Sequence, residues 1–119
     1  MTADGTRPLD DRERRLARNE TLFRSINEEI ETVAFRLGSD DEHVYEFLCE
    51  CANLDCDLRL ALSLDDYEHV RANPVWFAVA TGHALPEIEA IVERRATHDV
   101  VEKRGEAAEL VRGLDPRNP

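Results

Sequence analysis

The 119-residue chain has a formal net charge of −11, with 42% apolar and 34% charged residues, a balance that suits one soluble globular domain with a modest core. No apolar run approaches the ~20 residues needed to span a bilayer, and Met1 to Asp10 lacks the apolar stretch of a secretory signal, so the expectation is a cytoplasmic protein with no membrane contact. The acidity is local: residues 39–68 hold ten Asp/Glu against Arg59 alone, a net of −9, which repels a phosphate backbone and argues against nucleic acid as a partner.

In chain order, residues 1–10 read as a disordered N-terminus, and residues 11–38 as a long amphipathic helix with its stop at Gly38. Leu16, Asn19, Phe23, Ile26, Ile30, Val33 and Leu37 recur at alternating steps of three and four. This stripe either packs on its own domain or pairs with a second copy as a coiled coil, with Asn19 then the position that sets register. Ser39-Asp40-Asp41 is loop chemistry. Val44 to Cys51 predicts a strand and Arg59 to Leu62 its antiparallel partner, joined by a turn at Asn53-Leu54-Asp55. Ser63 predicts an N-cap, with Asp66 at the third helical position of a helix that stops before Pro74. Trp76 to Ala80 predicts a strand and Thr81-Gly82-His83 a turn. Pro86 to Arg95 predicts a further helix with proline in its first turn. Asp99 to Lys103 predicts a strand, and Glu106 to Arg112 a last helix ended by Gly113. Residues 115–119 read as a disordered tail. The class is α+β: a long N-terminal helix, then a metal-stapled domain over 39–114 with a small mixed or antiparallel sheet, a Cys-bearing β-hairpin and three short helices.

The chemistry sits in Cys49-Glu50-Cys51-Ala52-Asn53-Leu54-Asp55-Cys56. Three cysteines, an odd number in a reducing compartment, argue against a disulfide framework and toward metal or reactive thiols. On a strand, Cys49 and Cys51 face the same side, and a tight turn brings Cys56 back to them. Converging soft thiolates suit zinc, and assembling them among so many carboxylates would be unfavourable without a cation. The competing reading is that they are small buried hydrophobes, a common fate of free cysteine. A closed site needs a fourth ligand. His83, following Gly82 in a turn, is the first choice, with His98, another group or water the alternatives. His43 lies too far along the strand, and His69 sits on a helix beside its apolar positions.

The order Phe47-Leu48-Cys49-Glu50-Cys51, Cys56, Leu64-Asp65-Asp66-Tyr67-Glu68 and Val79-Ala80-Thr81-Gly82-His83 follows a helix opening on Arg15-Leu16-Ala17-Arg18-Asn19-Glu20. It resembles a family of small uncharacterised actinobacterial proteins with a C-x-C-x4-C segment and a downstream Gly-His. The resemblance covers nearly the whole chain and implies Cys3His ligation through His83; it implies no activity.

The functional expectation is a non-enzymatic zinc protein acting as an interaction or regulatory module, its acidic hairpin docking a basic protein partner. Phosphate-cradling glycine loops, nucleophile elbows and His-Glu-x-x-His pairs are all absent from the sequence. Three alternatives remain. The same Cys3His set could serve as a redox sensor or hold an iron–sulfur cluster. A catalytic zinc could use an open fourth position, with Glu50 or Asp57 as base. Arg12, Arg14, Arg15 and Arg18 could meet DNA, although interleaved Asp11 and Glu13 weaken that cluster.

Overall fold

Asp10 opens the chain's first element by accepting a hydrogen bond from the Glu13 N–H at 2.7 Å, while Glu13 reaches back to the Asp10 N–H. This reciprocal capping box starts helix α1, Asp11–Arg36. The computed structural model describes residues 8–38 and 42–117. The expectations for residues 1–7, 39–41 and 118–119 therefore lie outside the described residues. Gly38, at φ 70°, takes the left-handed conformation that ends a helix at least cost.

After α1 come strands β1 (Val44–Leu48) and β2 (Arg59–Ser63), helix α2 (Leu64–Arg71), strands β3 (Trp76–Val79), β4 (Glu89–Arg94) and β5 (Asp99–Lys103), and helix α3 (Gly105–Gly113). β1 and β2 form an antiparallel hairpin, and a separate antiparallel sheet has the order β3-β5-β4. The fold is α+β with a long N-terminal helix, as the sequence predicts. Ser63 caps α2 through the expected box with Asp66.

One element is corrected. Residues 86–95, predicted as a helix, make a single turn in which the N–H groups of Ile88 and Glu89 both reach the Leu85 carbonyl. They then extend as β4, so among the described residues two short helices follow α1 rather than three. Proline is compatible with a first helical turn, but the β-branched Ile88, Ile91 and Val92 favour a pleated surface beside β5. A register shift between Ile91 and Glu93 leaves Val92 partly exposed.

The two sheets are joined by one residue between two cysteines. The Glu50 N–H donates to the Ala78 carbonyl at 2.8 Å, and the Ala78 N–H donates to Glu50 Oε1 at 2.9 Å. The core fills the space behind this junction. Phe47 stacks on Tyr67 at 4.5 Å between centroids, and Leu62, Phe77, Val79 and Val100 are fully buried.

α1 docks in a way its apolar stripe did not indicate. The side chains it buries are Glu13, Ala17, Glu20, Thr21, Arg24, Asn27, Glu31 and Ala34. At 100° per residue these lie about two fifths of a turn away from Ile26, Val33 and Leu37, which are 37%, 55% and 73% exposed. The inward polar groups find partners. Lys103 Nζ bridges Glu20 and Glu89, all three buried. Arg24 donates to the carbonyls of Pro74 (2.7 Å) and Val111 (2.9 Å) and lies 4.4 Å over the Phe77 ring. Asn19 donates to the Ala52 carbonyl at 2.9 Å; in this chain it fixes the helix to the cysteine loop. At the other end of the chain, buried Arg71 pairs with Asp115 and Glu28, and Arg117 is clasped by Glu28, Glu31 and Glu68.

Candidate metal centre

The site is built from the two ends of the β1–β2 connection and one turn after β3. β1 stops at Leu48, one residue before the first cysteine, because the chain leaves its hairpin partner at Glu50 to bond β3. Cys49 and Cys51 therefore face together from a knuckle that follows the strand, not from the strand predicted over Val44–Cys51. The last rung of the hairpin is the Cys49 N–H to the Leu58 carbonyl, 3.2 Å. The knuckle closes through Asn53, whose side chain accepts from the Asp55 N–H (2.9 Å) and whose carbonyl accepts from the Cys56 N–H (3.0 Å). Asparagine makes such side-chain-supported turns readily, and this one swings Cys56 back over the other two thiols.

His83 arrives from the opposite side. The His83 N–H bonds the Ala80 carbonyl at 2.9 Å across a turn whose third residue, Gly82, has φ 85°. That dihedral belongs to a type II turn and is strained for any residue with a Cβ. The Gly82 N–H also donates to Asp99 at 3.3 Å, tying the turn to β5.

The four ligand atoms, three Sγ and one imidazole nitrogen, all lie within 4.8 Å of one another. His83 Nδ1 is 3.6 Å from Cys49 Sγ and 3.7 Å from Cys56 Sγ. Cys49 and Cys51 are buried, while Cys56 and His83 are half-buried. Cys49 Sγ accepts a hydrogen bond from the Ala80 N–H at 3.1 Å, which stabilises negative charge on sulfur. A hydrogen bond from Cys49 holds the Cys51 thiol down to about 5, and the same bond, together with burial, pushes Cys49 up. Cys51 is thus disposed to carry thiolate charge, the form in which cysteine binds metal, while Cys49 is disposed to keep its proton.

The other histidines lie elsewhere. His43 packs on Tyr45 at 4.5 Å, and His69 pairs with Glu93 at 2.8 Å. His98, the alternative fourth ligand, is buried beside Thr97, and burial lowers its pKa. Of the two candidate bases, Asp57 is exposed on the hairpin loop. Glu50 is fully buried, and its Oε2 accepts from Asn27 Nδ2 and the Tyr67 hydroxyl, each at 2.9 Å. With the Ala78 N–H on Oε1, three donors hold this carboxylate, although burial still pushes its pKa up. Asn27 also clamps Leu48, accepting from its N–H (2.8 Å) and donating to its carbonyl (2.9 Å). Sequence reasoning did not single out Asn27 and Tyr67, which fix the knuckle from behind. A glutamate flanked by two cysteines was the one signal that something there must be neutralised or bonded.

Among the described residues, no helix is long and apolar enough to cross a membrane. No family model, curated protein or solved structure matches the chain.

Proposed function

We propose that Cys49, Cys51, Cys56 and His83 hold one zinc ion in a closed structural site, and that the protein is a non-enzymatic, zinc-stapled interaction module. The spacing carries this reading. With Zn–S near 2.3 Å and Zn–N near 2.0 Å, a tetrahedral site has an S···N edge of about 3.5 Å. The two thiol–imidazole separations of 3.6 and 3.7 Å lie close to that edge. Four protein ligands leave no open coordination position for substrate. Glu50, bonded by three donors beneath the knuckle, is a scaffold residue and not a base poised over a water. An iron–sulfur cluster would set its ligands apart by the width of several metal and sulfide ions, wider than the 4.8 Å spread here. Outside the staple, Glu46, Asp55, Asp57 and Asp65 are exposed on one acidic stretch, a surface suited to a basic protein partner.

Cobalt substitution tests the ligand set. One equivalent of Co2+ should give intense tetrahedral bands with thiolate charge transfer, displaced by zinc. His83→Ala should alter those bands and weaken retention, while His43→Ala, His69→Ala and His98→Ala should leave them unchanged. Weak octahedral bands, or equal effects of all four histidine variants, would sink the assignment.

A further inference from the structure

The outer face of α1 leaves Leu22, Ile26, Val33 and Leu37 exposed, and charge indicates what covers them. Ile26, Ile30, Val33, Ala34 and Leu37 line a groove of about 400 Å³ against Tyr45 of β1. Leu22 (52% exposed) extends the stripe toward the N-terminus. At the groove, Tyr45 Oη is buried without a hydrogen-bond partner among the described residues.

We propose that this face is the interface of a two-fold symmetric homodimer, with α1 packed antiparallel against α1 of a second copy. Charge selects the occupant. The chain has a net charge of −11, yet the charges exposed beside the stripe over residues 22–37, Glu29 and Arg36, balance. Two copies can meet along this helix without the repulsion that opposes contact between their acidic stretches. Charge also selects the orientation. Glu29 and Arg36 are both exposed, one heptad apart, on the solvent flank of the stripe. An antiparallel two-fold centred near Val33 sets each Glu29 opposite the partner's Arg36, forming two equivalent ion pairs; a parallel pair sets like against like. The opposite flank is closed at Asn27, which is buried in the chain's own domain.

The face is modest. Residues 22–37 span about 24 Å of helix, roughly 10 Å wide, a footprint of about 240 Å² per copy that is smaller than a standard interface and sets a weak, transient contact. The expected dimer therefore has a Kd on the order of 0.1 mM.

The test is sedimentation velocity on the full-length zinc-loaded chain, from about 1 μM to roughly 0.5 mM. The proposal expects a monomer–dimer transition within that range. Val33→Glu should weaken it at least about tenfold, with helix content and zinc content unchanged because Val33 touches neither the core nor the thiols. Glu29→Arg should weaken the dimer about threefold to tenfold, and adding Arg36→Glu should restore it. A wild type monomeric throughout, a dimer indifferent to Val33→Glu, or a charge reversal that the second reversal fails to rescue would overturn the proposal. None of these outcomes bears on whether the metal is bound.

Discussion

Replacing Glu50 by alanine would leave the Ala78 N–H, Asn27 Nδ2 and the Tyr67 hydroxyl all pointing into a space with no acceptor. Each buried donor left unpaired costs about 1–3 kcal/mol, partly offset by removing a charge that burial disfavours, so the expected loss is roughly 3–6 kcal/mol. Glu50→Gln keeps the shape and one oxygen, but its amide NH2 must oppose either Ala78 or the Asn27–Tyr67 side, for a loss of about 1–3 kcal/mol. Tyr67→Phe removes one bond to a charged group, about 1.5–3 kcal/mol, while its ring keeps its stack on Phe47. The assay is urea unfolding of the zinc-loaded protein, followed by fluorescence of Trp76, whose indole donates to Glu102 at 2.9 Å. The midpoint should fall with little change in slope. Glu50→Ala should also release zinc more readily, because the same residue spaces Cys49 from Cys51. An alanine variant as stable as the wild type, or a glutamine variant worse than alanine, would refute the idea that this carboxylate is held as an acceptor at the junction of the sheets.

Lys103→Met would leave Glu20 and Glu89 buried without their shared cation. That should cost about 3–5 kcal/mol, a thermal shift on the order of 10–20 °C, most of which should return when Glu20→Gln and Glu89→Gln are added. A Lys103→Met chain that melts unchanged would mean the triad contributes nothing. Burial and a hydrogen bond with Glu68 push the Glu31 carboxyl from 4.5 up to about 8, so the folded state holds a proton that the unfolded state has lost. Its contribution is complete below about pH 4.5 and declines as pH rises toward 8. Glu31→Gln should remove that decline, so wild type minus variant stability should fall between pH 5 and 8; a difference that rises with pH would contradict the sign.

Much of the centre could be read from spacing. C-x-C-x4-C fixed three thiols to one short segment, and Gly82-His83 announced a turn able to present an imidazole. What spacing did not convey was how the cysteines converge. The strand stops at Leu48 because Glu50 bonds β3, and that bond joins residues 28 positions apart. The docking of α1 was hidden for the same reason. Periodicity left open whether the apolar stripe packs on its own domain or on a second copy, and Glu20, Arg24 and Asn27 face inward because their partners at Lys103, Val111 and Leu48 meet them there. Nothing in residues 11–36 alone identifies those partners. The helix expected over 86–95 failed more simply, because proline at a possible first turn outweighed the β-branched residues behind it.

The central claim is that one metal ion closes this site, and native mass spectrometry with elemental analysis of the same preparation tests it most directly. The account predicts one zinc per chain, retained under native conditions, with Cys49, Cys51 and Cys56 protected from alkylation until a chelator removes the ion and the fold loosens. A metal-free chain that melts cooperatively, with Cys56 freely alkylated and no zinc taken up on addition, would contradict it.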